Sequence, residues 1–149
     1  MNIRQSTIPL FIVAAPLLVS FVLPVVGRWR RAWVFPLAIT ALTISFGTSI
    51  LTAREVLTSG PVQYFMGGWI PPWGIEFRID HLGVLMLLLL SFITLLVAIY
   101  SKQSILKEVP DREAPFYSVY LLFVSGLNGI VATADMFNMY VFLEISSLT

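Results

Sequence analysis

Four long stretches carry no charged side chain: Thr7 to Val26, Ala32 to Ala53, Leu82 to Ser101 and Ala114 to Ala134, each 20 to 22 residues long. A helix crossing a hydrocarbon core about 30 Å thick needs about 20 apolar residues, so each stretch predicts one transmembrane helix. A fifth apolar run starts at Met136 and continues to Thr149. Between the second and third stretches the periodicity changes. Ile75, Phe77 and Ile79 alternate with Glu76, Arg78 and Asp80, which is the two-residue period of a strand. Pro61 to Met66 is a second, weaker extended run. Gly67-Gly68 and Pro71-Pro72-Trp73-Gly74 punctuate the two as turns. The expectation is an all-α integral membrane protein: four complete transmembrane helices (about 7–26, 32–53, 82–101 and 114–134), a truncated fifth (136–149), and a short external β-hairpin (58–80) between helices 2 and 3. The hairpin is expected to close one end of the bundle rather than to bind a ligand.

Composition agrees with this class. Of 149 residues, 58% are hydrophobic and 11% charged, with a mean hydropathy of +0.89, whereas a soluble domain is about a quarter charged. The net charge of +1 suggests no nucleic-acid partner. There are no cysteines and one histidine, so this chain offers no thiolate metal site, no cysteine-ligated cluster and no bis-histidine haem. No cofactor is expected, and no nucleotide-binding glycine loop, zinc motif or catalytic triad appears.

Charge placement sets an expected orientation. Arg28, Arg30 and Arg31 follow the first run, and Lys102, Lys107 and Arg112 follow the third; Arg4, Arg54 and Arg78 fall on the opposite side. The excess of basic residues marks the cytoplasmic face, which puts the N-terminus outside a multi-pass protein of the cell membrane. The first run reads as a retained helix, since only Arg4 precedes it and no small-residue cleavage site ends it. Trp29, Trp33, Trp69 and Trp73 stand at the expected membrane edges, where an apolar ring with a polar N–H is favoured.

Smaller features carry mainly structural meaning. Pro9, Pro16 and Pro24 lie in or at the ends of the first run, and membrane helices tolerate proline where neighbours satisfy the freed carbonyls. Ser125 and Gly129 have small-xxx-small spacing beside Gly126, which predicts close helix packing. Asn128 is expected to make an interhelical hydrogen bond rather than to ligate an ion.

One residue stands out chemically. The first four runs contain no acidic or basic side chain, whereas the fifth contains Glu144. From Asp135, Glu144 lies about 14 Å along a helix rising 1.5 Å per residue, close to the middle of the core. Burial there disfavours the charged form, and a nearby cation favours it. A carboxylate whose protonation depends on a neighbour's charge suits a proton relay. Phe137, Tyr140, Glu144 and Ser147 share one helical face, so Tyr140 and Ser147 are candidate polar neighbours, and Asp135 is placed as an N-cap. The bland alternative is a carboxylate that only holds helices together. No Lys, Arg or His lies in the five runs, so its cation partner is expected on another segment. A helix from Asp135 to Thr149 covers only about 21 Å, which predicts the N-terminal piece of a longer protein or a chain completed by another.

The stretch Ala134-Asp135-Met136-Phe137-Asn138-Met139-Tyr140-Val141-Phe142-Leu143-Glu144-Ile145-Ser146-Ser147 resembles the start of the fifth helix in the antiporter-like subunits of respiratory complex I and of the Mrp multisubunit Na+/H+ antiporters. Gly67-Gly68-Trp69, Pro72-Trp73-Gly74-Ile75-Glu76 and then Asp80 resemble the same family's external hairpin and third helix, most of all in the D-type member of the Mrp antiporters. Related subunits of membrane-bound hydrogenases are also similar. The likeness is specific over Gly67 to Ser147 and diffuse over the first two runs. It departs at His81 and Gly83; His81, at the membrane edge, reads as structural, with surface proton collection as the alternative. The resemblance implies a proton- or Na+/H+-translocating subunit of a multisubunit membrane complex. Its partners would be the lipid bilayer, other membrane subunits, protons and possibly Na+. It implies that Glu144 matches a glutamate which pairs with a lysine on a later, broken helix. The alternatives are a subunit of an NADH:quinone oxidoreductase or hydrogenase complex, with redox chemistry in partner subunits, and a structural or non-functional split product.

Overall fold

The computed structural model describes residues 4–69 and 73–149. The turn at Pro71 and Pro72 lies outside the described residues. Among the described residues, five α-helices and three short strands follow in the order β1 (Arg4–Gln5), α1 (Ile8–Trp29), α2 (Val34–Ser59), β2 (Val62–Phe65), β3 (Glu76–Ile79), α3 (His81–Glu108), α4 (Glu113–Ala132) and α5 (Met136–Leu148). The first four helices are long and apolar enough to cross a membrane, and α5 is short.

Several helix boundaries have a local cause. Pro9 occupies the first turn of α1, where its missing N–H costs nothing. Pro16 and Pro24 lie inside the helix without ending it. Gly60 ends α2 at φ 88°, a left-handed backbone that favours glycine. Asp80 caps α3, its Oδ1 accepting from the Gly83 N–H at 2.7 Å. Two single-turn 3-10 segments, Arg31–Trp33 and Pro110–Arg112, join α1 to α2 and α3 to α4. The Arg31 guanidinium donates to Asp111 Oδ1 at 2.9 Å and ties these two turns together.

Helices α1 to α4 form a four-membered bundle in which α1 packs on α2 and α4, and α3 packs on α2 and α4. Helix α5 lies outside this ring, against α4. In lipid, apolar burial gives no preference for helix over lipid tail, so contact rests on close packing and interhelical hydrogen bonds. The bundle shows both. Ser45 Oγ on α2 donates to the Ile12 carbonyl on α1 at 2.9 Å. Asn128 Nδ2 on α4 donates to the same Ser45 Oγ at 3.4 Å, the interhelical role expected for it. Ser125 Oγ donates to the Val13 carbonyl at 3.0 Å, and Ser91 Oγ on α3 donates to Ser49 Oγ at 3.1 Å. Ser45, Ser49 and Thr52 all lie buried on one face of α2. Meanwhile α3 leaves Leu85, Leu89, Phe92, Ile93 and Leu96 exposed, a surface suited to lipid.

The expected hairpin is present: β2 pairs antiparallel with β3, Val62 opposite Ile79 and Phe65 opposite Glu76. Gln63 Nε2 also donates to Glu76 Oε1 across the pair. A third strand joins it, because β1 runs parallel to β2 with Arg4 opposite Val62. Nothing in the local pattern of a two-residue strand announces it, since it forms only where α1 delivers the chain's start beside the hairpin. Val62, Phe77 and Ile79 turn inward and pack with Ile12, Val56, Val84, Leu87 and Ala132. The hairpin thus closes one end of the bundle with its own apolar face.

Candidate functional site on the fifth helix

The start of α5 is held by the hairpin and by its own local caps. The Ala134 N–H donates to the Glu76 carbonyl at 3.0 Å, and Thr133 forms an antiparallel bridge with Phe77. The α4–α5 link is thereby pinned to the hairpin. Asp135 caps the helix, its Oδ1 accepting from the Phe137 N–H at 3.1 Å. Thr133 Oγ1 accepts from Asn138 Nδ2 at 3.1 Å and from the Asp135 N–H at 3.3 Å. Asn138 is buried by this arrangement, on the side of α5 away from Glu144.

Further along, α5 lies on α4 through glycine. A Cβ built at Gly129 would stand 2.5 Å from the Phe142 ring, and one at Gly126 would stand 3.1 Å from the Phe142 carbonyl. The small-residue spacing of α4 therefore serves two neighbours: Ser125 faces α1 and the glycines face α5. Phe142 is buried at this contact. With Asn138 and Phe142 turned inward, the four-residue step between them fixes the rotation of the helix.

That rotation brings the predicted group to the outer face. Phe137, Tyr140, Glu144 and Ser147 are all exposed on the side of α5 away from the bundle. The Tyr140 hydroxyl donates to Glu144 Oε1 at 2.8 Å. The Ser147 hydroxyl donates to the Glu144 main-chain carbonyl at 3.1 Å rather than to the carboxylate. Among the described residues the ion pair present is Arg31–Asp111, so Glu144 has no cation there. His81 is the first residue of α3, exposed beside the capping Asp80. Among the described residues no group of three His, Cys, Asp or Glu side chains could hold a metal ion.

The buried hydroxyl stripe on α2 is the feature that pattern reading passed over. Its signal is the four- and three-residue spacing of Ser45, Ser49 and Thr52 inside an otherwise apolar run. Asn128 Oδ1 lies at this junction, buried and without a hydrogen-bond donor.

Comparison with known proteins places the chain. Residues 70–103 match the family model for the N-terminus of chain 5 of NADH-ubiquinone oxidoreductase (complex I). The N-type subunit of NADH-quinone oxidoreductase from Desulforudis audaxviator is 38% identical over 142 residues, covering 95% of this chain and 27% of that protein. The D-type subunit of the Na(+)/H(+) antiporter from Bacillus subtilis is 36% identical over 106 residues, covering 70% of this chain and 21% of that protein. Among solved structures, the membrane-bound sulfane sulfur reductase, an archaeal respiratory membrane complex, contains a chain that superposes with a TM-score of 0.87 at 27% identity, over 96% of this chain and 29% of that one. The Mrp complex from Dietzia sp. contains one with a TM-score of 0.81 at 29% identity, over 95% of this chain and 25% of that one. The chain thus spans about a quarter of the length of these relatives. With four membrane-crossing helices, a hairpin between the second and third, and these relatives over nearly its whole length, the chain is a multi-pass membrane protein and belongs to the family of antiporter-like subunits shared by Mrp antiporters and respiratory complex I.

Proposed function

We propose that this chain is the N-terminal part of a subunit that moves protons, or exchanges Na+ for protons, within a multisubunit complex of the cell membrane, with Glu144 as the coupling carboxylate. The observation that carries the reading is the Tyr140–Glu144 hydrogen bond on the face of α5 turned away from the bundle. An ionisable group facing lipid in mid-membrane is costly, so this face calls for protein or water against it. A carboxylate held in one position by a phenol and open on its other side is suited to meet a cation supplied by another segment. Tyr140 positions the carboxylate, and Ser147 ties down the backbone beside it. The N-terminus lies outside the cytoplasm, as the six-to-three distribution of basic residues suggests.

Glu144→Gln keeps the shape and removes titration. In the purified complex reconstituted into liposomes, this variant assembles normally and loses ion transport to the level of empty vesicles. Full transport in Glu144→Gln with normal assembly would overturn the role.

A second reading is the ion-moving arm of an NADH-quinone oxidoreductase-type complex, with electron transfer in partner subunits. The 38% identity to an N-type subunit over 95% of this chain favours it. Electron transfer that persists in a complex lacking this chain, but no longer drives ion movement, would support that assignment; loss of both would oppose it.

A further inference from the structure

The turn between α1 and α2 leaves two large aromatic side chains exposed beside an arginine. Helix α1 ends at Trp29, and Arg30 leaves the helix with φ −146° and ψ 95°. Its N–H still donates to the Val26 carbonyl at 2.8 Å, and its own carbonyl accepts from the Trp33 N–H at 3.2 Å. The chain therefore folds tightly around Arg30, with one indole on either side. Trp29 is 84% exposed and Trp33 54% exposed. Together with Val26 and Arg30 they line an open groove of about 460 Å³.

The neighbouring cations are used differently. Arg31 is committed to Asp111 at 2.9 Å, and Lys102 lies over the Phe35 ring, 4.4 Å from its centroid. Arg30 has no acidic partner among the described residues. This end of the bundle also carries six of the chain's nine basic residues. The groove thus offers a planar guanidinium fork, which matches phosphate oxygens two at a time. Two indoles flank it at the height where tryptophan meets headgroups, and Val26 supplies an apolar wall on the membrane side. A soluble anion would leave both exposed indoles in water. An amphipathic anion covers them and the arginine at once.

We propose that the Val26–Trp29–Arg30–Trp33 groove is a binding site for the phosphate headgroup of an anionic phospholipid, whose glycerol and first acyl carbons lie against Val26 and the indoles. The proposal is independent of ion movement through Glu144. One basic residue near an anionic membrane surface favours anionic lipid by about fivefold, which sets the expected preference.

The test uses the protein purified with the subunits that accompany it, placed in nanodiscs containing a photoactivatable phosphatidylglycerol or, separately, the matching phosphatidylcholine. Crosslinked peptides are then mapped by mass spectrometry. The expected result is labelling of the segment from Val26 to Trp33 about fivefold stronger with phosphatidylglycerol. That preference disappears in Arg30→Gln and is reduced in Arg30→Lys, which keeps the charge but not the guanidinium fork. Equal labelling by the two lipids overturns the proposal, because the groove then does not select an anionic headgroup. Absence of labelling there, with labelling elsewhere on the protein, also overturns it and means that another polypeptide covers the groove. Retention of the preference in Arg30→Gln assigns the charge selectivity to other residues and refutes the site as drawn.

Discussion

Replacing Gly129 by alanine tests how Glu144 is positioned. The added methyl would stand 2.5 Å from Cγ and Cδ1 of Phe142, whereas relaxed carbon–carbon contacts lie at about 3.5–4.0 Å. The overlap of about 1 Å cannot be relieved within α4, whose backbone is fixed by its contacts with α1. Either α5 moves outward or the Phe142 ring leaves its rotamer, and such overpacking costs about 1–3 kcal/mol. The same exchange removes a helix-interior glycine, which offsets about 0.5–1 kcal/mol. The net loss is therefore on the order of 1–2 kcal/mol. Gly47 is the internal control: a methyl there meets nothing within 4 Å, so Gly47→Ala keeps only the favourable part, about 0.5–1 kcal/mol. Unfolding of the purified protein in detergent, followed by circular dichroism against temperature, should move in opposite directions for the two variants. Because Glu144 follows Phe142 by half a turn, Gly129→Ala should also lower transport in liposomes. Adding Phe142→Leu should restore part of both losses, as expected for residues in contact. If Gly129→Ala were as stable as Gly47→Ala and fully active, the α4–α5 contact would not be what sets the rotation of α5.

Other outcomes follow from single contacts. Asp135→Ala removes the cap on the Phe137 N–H and should cost about 1 kcal/mol locally; hydrogen exchange at the first amides of α5 should speed up several-fold while α3, capped by Asp80, is unchanged. Arg31→Gln breaks the ion pair to Asp111, but those side chains are 65% and 82% exposed, so detergent stability should change by less than about 1 kcal/mol. A larger loss would mean that the link between the two turns is shielded from water.

The regions where sequence and structure agree share a physical reason. Four charge-free runs became four membrane-crossing helices, because in lipid a helix satisfies its own backbone and needs no knowledge of its neighbours. The hairpin was legible for a related reason: its alternation at Ile75, Phe77 and Ile79 is local, and two of those residues turn inward as their period demands. The cap expected at Asp135 is likewise decided within two residues of chain. The shared face of Tyr140 and Glu144 follows from a four-residue step on a helix.

Other features were decided only when distant segments met. Strand β1 exists because the hairpin lies beside it, and two residues carry no periodicity of their own. Phe142 has the same apolar character as Phe137, yet one is buried and the other exposed; on another helix Gly129 makes that choice by admitting the ring, and Gly126 by admitting the α5 backbone beside it. Ser45 reads as a small helix residue until the Ile12 carbonyl and the Asn128 amide arrive from α1 and α4. Arg30 and Arg31 are adjacent and chemically identical, but only Arg31 meets Asp111, delivered by the turn eighty positions away. Local hydrogen bonding and hydropathy thus set the helices, the hairpin and the placement of a carboxylate on α5. Which side of each element faces protein, and which is left for a partner or for lipid, is set by long-range packing, where the interacting atoms belong to segments far apart in the chain.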